Sequence, residues 1–133
     1  MTTATRPWTD AYVGLSWRER GRDRDGVDCW GLVRLALLEQ RGIELPMYVE
    51  GYAVGGREKF VAAELHDWVE VAAPDVRAFD LVELRGNPRH VGLCDGRGRF
   101  LQVLPYRNAV LTRLDSVDWA PRIIAFRRRR ETA

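Results

Sequence analysis

The longest hydrophobic run in the chain begins directly after Asp28. The segment CWGLVRLALLEQR has apolar side chains at positions 30, 32, 33 and 35–38, a wider stripe than that of an ordinary amphipathic helix. This pattern predicts a central, largely buried helix over residues 29–41. Asp28 is a suitable N-cap because its carboxylate can accept from first-turn amides, and Gly42 suits the left-handed residue that ends a helix.

The pattern changes from helical to strand-like along the chain. Positions 57–67 fit a second, amphipathic helix, and from Trp68 onward short apolar runs alternate with turn residues. Helices followed by strands predict an α+β fold with an antiparallel sheet. Loops are predicted at 18–28, 51–57, 85–89 and 95–98, and strands at 68–72, 80–84, 90–94, 99–103, 109–113 and 122–127.

Length and charge limit the number of domains and the class of partner, but they do not indicate a function. At 133 residues and 46% hydrophobic, the chain is expected to form a single domain over 1–133. The net charge of +2 is spread along the chain and indicates neither a nucleic-acid nor a membrane partner. Without an apolar leader at the N-terminus, the protein is expected to be cytoplasmic when made. Residues 18–28 and the run Arg127–Arg130 are interpreted as a solvated loop and a solvated tail.

The two cysteines lie 65 positions apart, and only His66 and His90 could join them as metal ligands. This spacing does not suit a zinc site, so no metal is expected. Two thiols are the default for Cys29 and Cys94, with one disulfide bridge as the alternative. Cys94, at the end of a strand, is interpreted as a core residue.

Cys29 is the strongest candidate nucleophile. A thiol at a helix N-terminus feels the positive end of the helix dipole, which favours the thiolate. The alternative is that Cys29 is a small buried hydrophobe, so the site needs a base. His66 falls in the helical pattern 57–67, where a surface position is expected, whereas His90 begins the core strand HVGLC and can be a general base or a satisfied core residue.

A third residue would orient the imidazole, and Gln102 lies in the neighbouring strand. A three-residue loop of 95–97 places His90 opposite Gln102, whereas a two-residue loop of 96–97 pairs His90 with Val103 and turns Gln102 to the wrong face. A solvent-facing Gln102 is the alternative. Trp17 and Trp30 flank the loop before Cys29 and are either core residues or walls of a substrate groove.

The segments DGVDCWGLVRLAL, AFDLVELRGNPRHVGLCDGRGRFLQV and IIAFR together resemble the NlpC/P60 cysteine peptidases, in particular the phage-tail and gene-transfer-agent branch. The resemblance implies a papain-like α+β fold with Cys29 as nucleophile, His90 as base and Gln102 in third place, where the family often has histidine. It also implies substrate contacts from Trp17, Asp28 and Trp30. Trp17 stands where many members have tyrosine, and Trp30 replaces a common serine.

The resemblance also implies a substrate and a setting. The family hydrolyses bacterial cell-wall stem peptides, commonly between D-glutamate and diaminopimelate or lysine, without a cofactor. The branch implies phage-tail or gene-transfer-agent proteins as partners and action in the periplasm or cell wall. Two alternatives stay open: a structural tail-assembly protein that has lost catalysis, and an acyltransferase or amidase acting on other amides.

Overall fold

The computed structural model describes residues 6–47, 65–66, 68–86 and 89–130. Within these ranges one α-helix packs on a six-stranded antiparallel sheet, which confirms the predicted α+β fold. The elements in chain order are β1 (Arg22–Asp23), β2 (Gly26–Val27), α1 (Cys29–Arg41), β3 (Trp68–Val71), β4 (Leu81–Leu84), β5 (His90–Cys94), β6 (Arg99–Gln102), β7 (Val110–Arg113) and β8 (Ile123–Arg129).

Helix α1 has the bounds that its sequence predicts. The Asp28 carboxylate accepts a hydrogen bond from the Gly31 amide at 2.8 Å, and Gly42 ends the helix with φ 67°. Residues 29–37 are buried, as the broad apolar stripe requires. Most of the predicted helix at 57–67 lies outside the described residues; His66 is exposed, as predicted for a surface position.

The large sheet has the strand order β3-β8-β4-β5-β6-β7, and its two faces pack into separate apolar clusters. Alternate side chains of each strand point to opposite faces. Cys29 belongs to the cluster on the α1 side and Cys94 to the cluster on the other side, so the sheet separates the two thiols and no disulfide joins them. The strand residues on the α1 side include Leu81, Val91, Leu93, Leu101 and Val103, and those on the far side Val82, Leu84, Cys94, Phe100 and Phe126.

Two charged segments are more ordered than predicted. Residues 18–28 contain the β1–β2 hairpin, in which Arg22 is only 8% exposed. The arginines at 127–129 belong to β8, between β3 and β4 in the sheet, and are not a solvated tail. Arg127 pairs with Glu83 at 3.0 Å and Arg128 with Asp80 at 2.8 Å. Both carboxylates are 2% exposed, so these cations compensate charges that would otherwise be costly to bury.

The β5–β6 hairpin differs from both predicted registers. Cys94 pairs with Phe100, and Asp95 and Arg99 close a loop that consists of 96–98. The Asp95 carboxylate accepts from the amides of 97 and 99, while both glycines of the loop adopt positive φ. The partner of each β5 residue therefore lies two positions beyond the one expected for a loop of 95–97. A shift of two residues keeps every side chain on its predicted face.

Candidate active site

A cavity of about 180 Å³ lies where the N-terminus of α1 meets the start of β5 and the end of β6. Cys29 and His90 both line it, although they are 61 positions apart in the chain. The fold therefore brings together the predicted nucleophile and the predicted base. The described residues that line it are Trp17, Cys29, Arg85, Gly86, His90, Val103, Leu104, Pro105, Trp119 and Arg122.

Cys29 is the first residue of α1, and a buried ion pair supports the turn that presents it. Arg22 donates from Nη1 to the Asp28 carboxylate at 2.7 Å and to the Gly21 carbonyl at 2.8 Å. Its Nε donates to the Met47 carbonyl at 2.6 Å. The same Asp28 oxygen caps α1, so the hairpin and the helix start share one polar network.

Gly31 allows the hairpin to approach the first turn of α1. A Cβ at this position would lie 1.9 Å from the Gly21 carbonyl oxygen, a distance that only a backbone shift could relieve. Cys29 is two residues away on the same turn, so a side chain at Gly31 would displace the thiol as well.

His90 and Gln102 are hydrogen-bonded partners. Nε2 of His90 lies 2.9 Å from Oε1 of Gln102, whose Nε2 in turn donates to Oγ1 of Thr112 at 2.8 Å. With the amide oxygen placed toward the ring, His90 Nε2 is the donor, and in a neutral ring the lone pair then lies on Nδ1. That tautomer is the one a proton acceptor needs. His90 and Gln102 are 8% and 1% exposed, so the bond is shielded from water.

The two side chains meet diagonally across the hairpin. Continued from the Cys94–Phe100 pair, the observed register places Gly92 opposite Gln102. His90 precedes Gly92 by two residues on the same strand, so it faces Gln102 diagonally. A Cβ at Gly92 would come within 2.8 Å of both the Leu101 carbonyl and the Phe100 ring, so only glycine fits here. The prediction that His90 and Gln102 share a face is confirmed, while the directly opposed pairing is wrong.

The three residues predicted to contact substrate lie in different places. Trp17 lines the cavity beside Cys29 and packs against Tyr106 with ring centroids 4.6 Å apart. Trp30 is fully buried, and its indole donates to the Pro46 carbonyl at 2.9 Å. Asp28 is 4% exposed and is engaged by Arg22. Trp30 and Asp28 are therefore buried at the start of α1 and are not among the described residues that line this cavity, and their contact with substrate stays a prediction.

Sequence reasoning missed three features of the site. Arg22 was hidden in a segment with eight charges in eleven positions, and nothing local marks it as the buried one. Thr112 was missed because its contact with Gln102 depends on the β6–β7 pairing. Trp119 was not singled out as a site residue; it is partly buried and lines the cavity near the His90 ring, with centroids 6.1 Å apart.

Two other kinds of feature are absent from the described part of the chain. No cluster of three or more histidine, cysteine or acidic side chains is placed to hold a metal ion there. Nor is any helix of these ranges both long and apolar enough to cross a membrane.

A family model described as "NlpC/P60 family" matches residues 14–128. The chain therefore belongs to the NlpC/P60 family. Among curated proteins it is 27% identical over 119 residues to the murein DD-endopeptidase MepS/murein LD-carboxypeptidase of Escherichia coli strain K12. That match covers 88% of this chain and 57% of the relative, so the chain spans little more than half the length of the curated protein.

Solved structures show the same fold. An NLP/P60 family protein of Staphylococcus aureus, described as similar to a lipoprotein, has a TM-score of 0.66 at 20% identity, over 91% of this chain and 38% of that one. RipD of Mycobacterium tuberculosis, described as a non-catalytic NlpC/p60 domain protein adapted to peptidoglycan binding, has a TM-score of 0.56 at 19% identity. The RipD match covers 90% of this chain and 82% of that one.

Proposed function

We propose that this protein is a cysteine peptidase that hydrolyses amide bonds in the stem peptides of bacterial peptidoglycan. The observation that carries the proposal is the joint placement of Cys29 and His90 on one cavity, with His90 held by Gln102 at 2.9 Å. The family and its murein-endopeptidase relative support the choice of peptidoglycan as the substrate.

The proposed reaction is acyl transfer through Cys29. Nδ1 of His90 takes the thiol proton, and the sulfur attacks the amide carbonyl to form a C–S bond. Amides at the start of α1 stabilise the oxyanion, and His90 returns the proton to the leaving nitrogen as the C–N bond breaks. Water, deprotonated by His90, then attacks the thioester. A C–O bond forms, the C–S bond breaks and Cys29 recovers its proton.

The proposal is tested by the release of new amino groups from purified cell-wall peptides. Wild type should release them, and Cys29→Ala and His90→Ala should lose the activity, because each removes one partner of the proton transfer. His66→Ala is the matched control, since His66 is exposed and absent from the cavity lining. Equal release by wild type and Cys29→Ala would show that the proposed nucleophile is wrong.

A second candidate function is peptidoglycan binding without catalysis. The similarity to RipD supports it, because that domain is described as non-catalytic. The test is co-sedimentation with insoluble cell wall, run beside the hydrolysis assay. Retention on the wall with no release of amino groups would favour binding over hydrolysis.

We also propose that the protein works within a phage-tail-like particle and reaches its substrate in the periplasm or cell wall. This rests on the resemblance of the segments around Cys29 and His90 to the phage-tail branch of the family. In cells that produce such particles, Cys29→Ala should leave assembly intact and lower infectivity. Particles that lack the protein, with infectivity independent of it, would contradict the proposal.

A further inference from the structure

A second cavity adjoins the one that contains Cys29. Its volume is about 460 Å³, which is within the range of ligand sites in proteins, and it shares Leu104 and Trp119 with the first cavity. A substrate that fills both would pass over these two side chains. The second cavity is lined by Gln102, Leu104, Arg107, Asn108, Val110, Thr112 and Trp119.

Among the described residues, three arginines and no acidic side chain line the two cavities. Arg85 donates to the Pro121 carbonyl, and the Arg122 guanidinium lies 4.9 Å from the Trp119 ring centroid. Arg107 is exposed, and of the three arginines it is the one that lines the larger cavity. Within the described residues none of the three forms an ion pair, in contrast to the arginines of β8, so their positive charge faces the groove.

The backbone of Arg107 is held by a strained turn. Its amide donates to the Leu104 carbonyl at 3.1 Å, with Pro105 and Tyr106 as the central residues. Tyr106 has φ 64°, the sign that the third position of a type II turn requires and that a non-glycine residue seldom adopts. The Tyr106 ring also contacts Trp17, with centroids 4.6 Å apart, so the turn that carries Arg107 touches a wall of the Cys29 cavity.

The residues after Arg107 are tied to the N-terminal segment. The Ala109 amide donates to the Leu15 carbonyl at 2.7 Å, and the Gly14 amide donates to the Ala109 carbonyl at 2.8 Å. Asn108 forms a β-bridge with Ser16. Arg107 thus projects from a backbone anchored on both sides, which limits the positions its guanidinium can reach.

We propose that the second cavity is a substrate subsite for a residue that bears a free carboxylate, and that Arg107 binds this carboxylate. Leu104, Val110 and Trp119 supply apolar walls for an aliphatic stem, and Asn108 and Thr112 supply further polar contacts. A guanidinium is suited to a carboxylate because its planar donors match both oxygens. The inference rests on the proposed function, since it names what part of a stem peptide the site recognises.

The test uses N-acetyl-γ-D-glutamyl-diaminopimelate and the three analogues in which one carboxylate at a time is a carboxamide. For wild type, one replacement should lower kcat/KM by about tenfold, the loss expected when a charge-assisted hydrogen bond is removed at a partly exposed site. Arg107→Gln should lower kcat/KM for the parent peptide by a similar factor and show less than about a twofold response to that replacement. Arg107→Lys should keep part of the selectivity.

Arg97→Gln is the matched control, because it removes the same charge from an exposed residue that lines only other surface cavities. It should retain the wild-type selectivity. Equal kcat/KM values for all four peptides with wild type, or unchanged selectivity in Arg107→Gln, would overturn the subsite while leaving the peptidase intact.

Binding separates this inference from the proposed function. The same four peptides are titrated calorimetrically into Cys29→Ala and into Cys29→Ala combined with Arg107→Gln. A carboxylate preference that disappears in the double variant supports the subsite, even if wild type hydrolyses none of the peptides. Indifference to every carboxamide in both variants would refute it.

Discussion

The two cysteines lie in different environments on the two sides of the large sheet. Both are buried, at 2% exposure for Cys29 and 0% for Cys94, and the sheet lies between their clusters. Cys29 begins a helix and lines a cavity with His90. Cys94 lies in an apolar cluster, and burial, together with the charges of Asp80 and Asp95, raises the pKa of its thiol far above the ordinary value.

Burial is common to both cysteines, so any difference in their reactivity has to come from other features of their surroundings. Cys29 begins a helix and lines a cavity that the predicted base His90 also lines, whereas Cys94 ends strand β5 and is not among the described residues that line that cavity. The backbone around Cys29 is also held by the buried Arg22–Asp28 ion pair and by the close approach of Gly31 to the hairpin. Both contacts join the β1–β2 hairpin to the first turn of α1.

The largest expected difference is in alkylation of the folded protein. At neutral pH, iodoacetamide should modify Cys29 at least about a thousandfold faster than Cys94, since thiolate and access are both required. Peptide mass spectrometry after timed quenching measures both rates in one sample. Unfolding in urea should bring the two rates together, and comparable rates in the folded protein would remove the distinction between the sites.

The next largest effect concerns the ion pair beneath Cys29. Arg22→Met leaves Asp28 buried without its cation and should lower the free energy of unfolding by about 3–5 kcal/mol. Arg24→Met is the control from the same loop, because the Arg24 and Glu39 side chains are 47% and 34% exposed and their pair should contribute at most about 1 kcal/mol. Urea unfolding gives both values, and equal losses would contradict the assignment.

A smaller effect is expected where Gln102 and Thr112 hold His90. Gln102→Leu should lower kcat by roughly tenfold to hundredfold, because the imidazole loses the acceptor that selects its tautomer. Thr112→Val should lower kcat by about threefold, because the Gln102 amide loses its hydrogen bond to the Thr112 hydroxyl. Thr112→Ser keeps a hydroxyl and should restore kcat. Nitrogen NMR of His90 should show a smaller fraction of the Nε2–H tautomer in Thr112→Val. An unchanged tautomer would mean that Thr112 does not position the base.

The smallest effect is a pH dependence that belongs to Cys94. The thiol stays protonated in the folded state but ionises in the unfolded chain above about pH 8.5, so the folded state binds more protons there. This contribution should lower stability by up to about 1.4 kcal/mol per pH unit above that point and have no effect below it. Urea unfolding at pH 7.5, 8.5 and 9.5, for wild type and Cys94→Ala, should show the extra slope only in wild type.

The elements of this fold were largely predictable because their signals are local. The apolar stripe, Asp28 and Gly42 define α1, and all six later strands lie within two residues of their predicted bounds. The residue types at Cys29, His90 and Gln102 also limited the choice, since only two histidines exist. Their catalytic roles stay predictions that the proposed variants test.

The partners across the fold were not predictable in the same way. The register of the β5–β6 hairpin depends on which carbonyl closes its loop. Gly96 and Gly98 adopt positive φ, and the loop therefore closes over 96–98, which neither predicted register included. Arg22, Arg127 and Arg128 looked like solvated charges because nothing near them in sequence shows the carboxylates they meet.

The sequence by itself determined the helix, the strands, the faces of their side chains and the small set of residues able to perform thiol chemistry. These follow from periodicity and capping, which act over a few neighbouring residues. Only the tertiary structure decided that Cys29 and His90 share a cavity, that Thr112 holds Gln102, and that Trp30 is a buried support. Such contacts join residues far apart in the chain, and packing and strand pairing select them after the local elements exist.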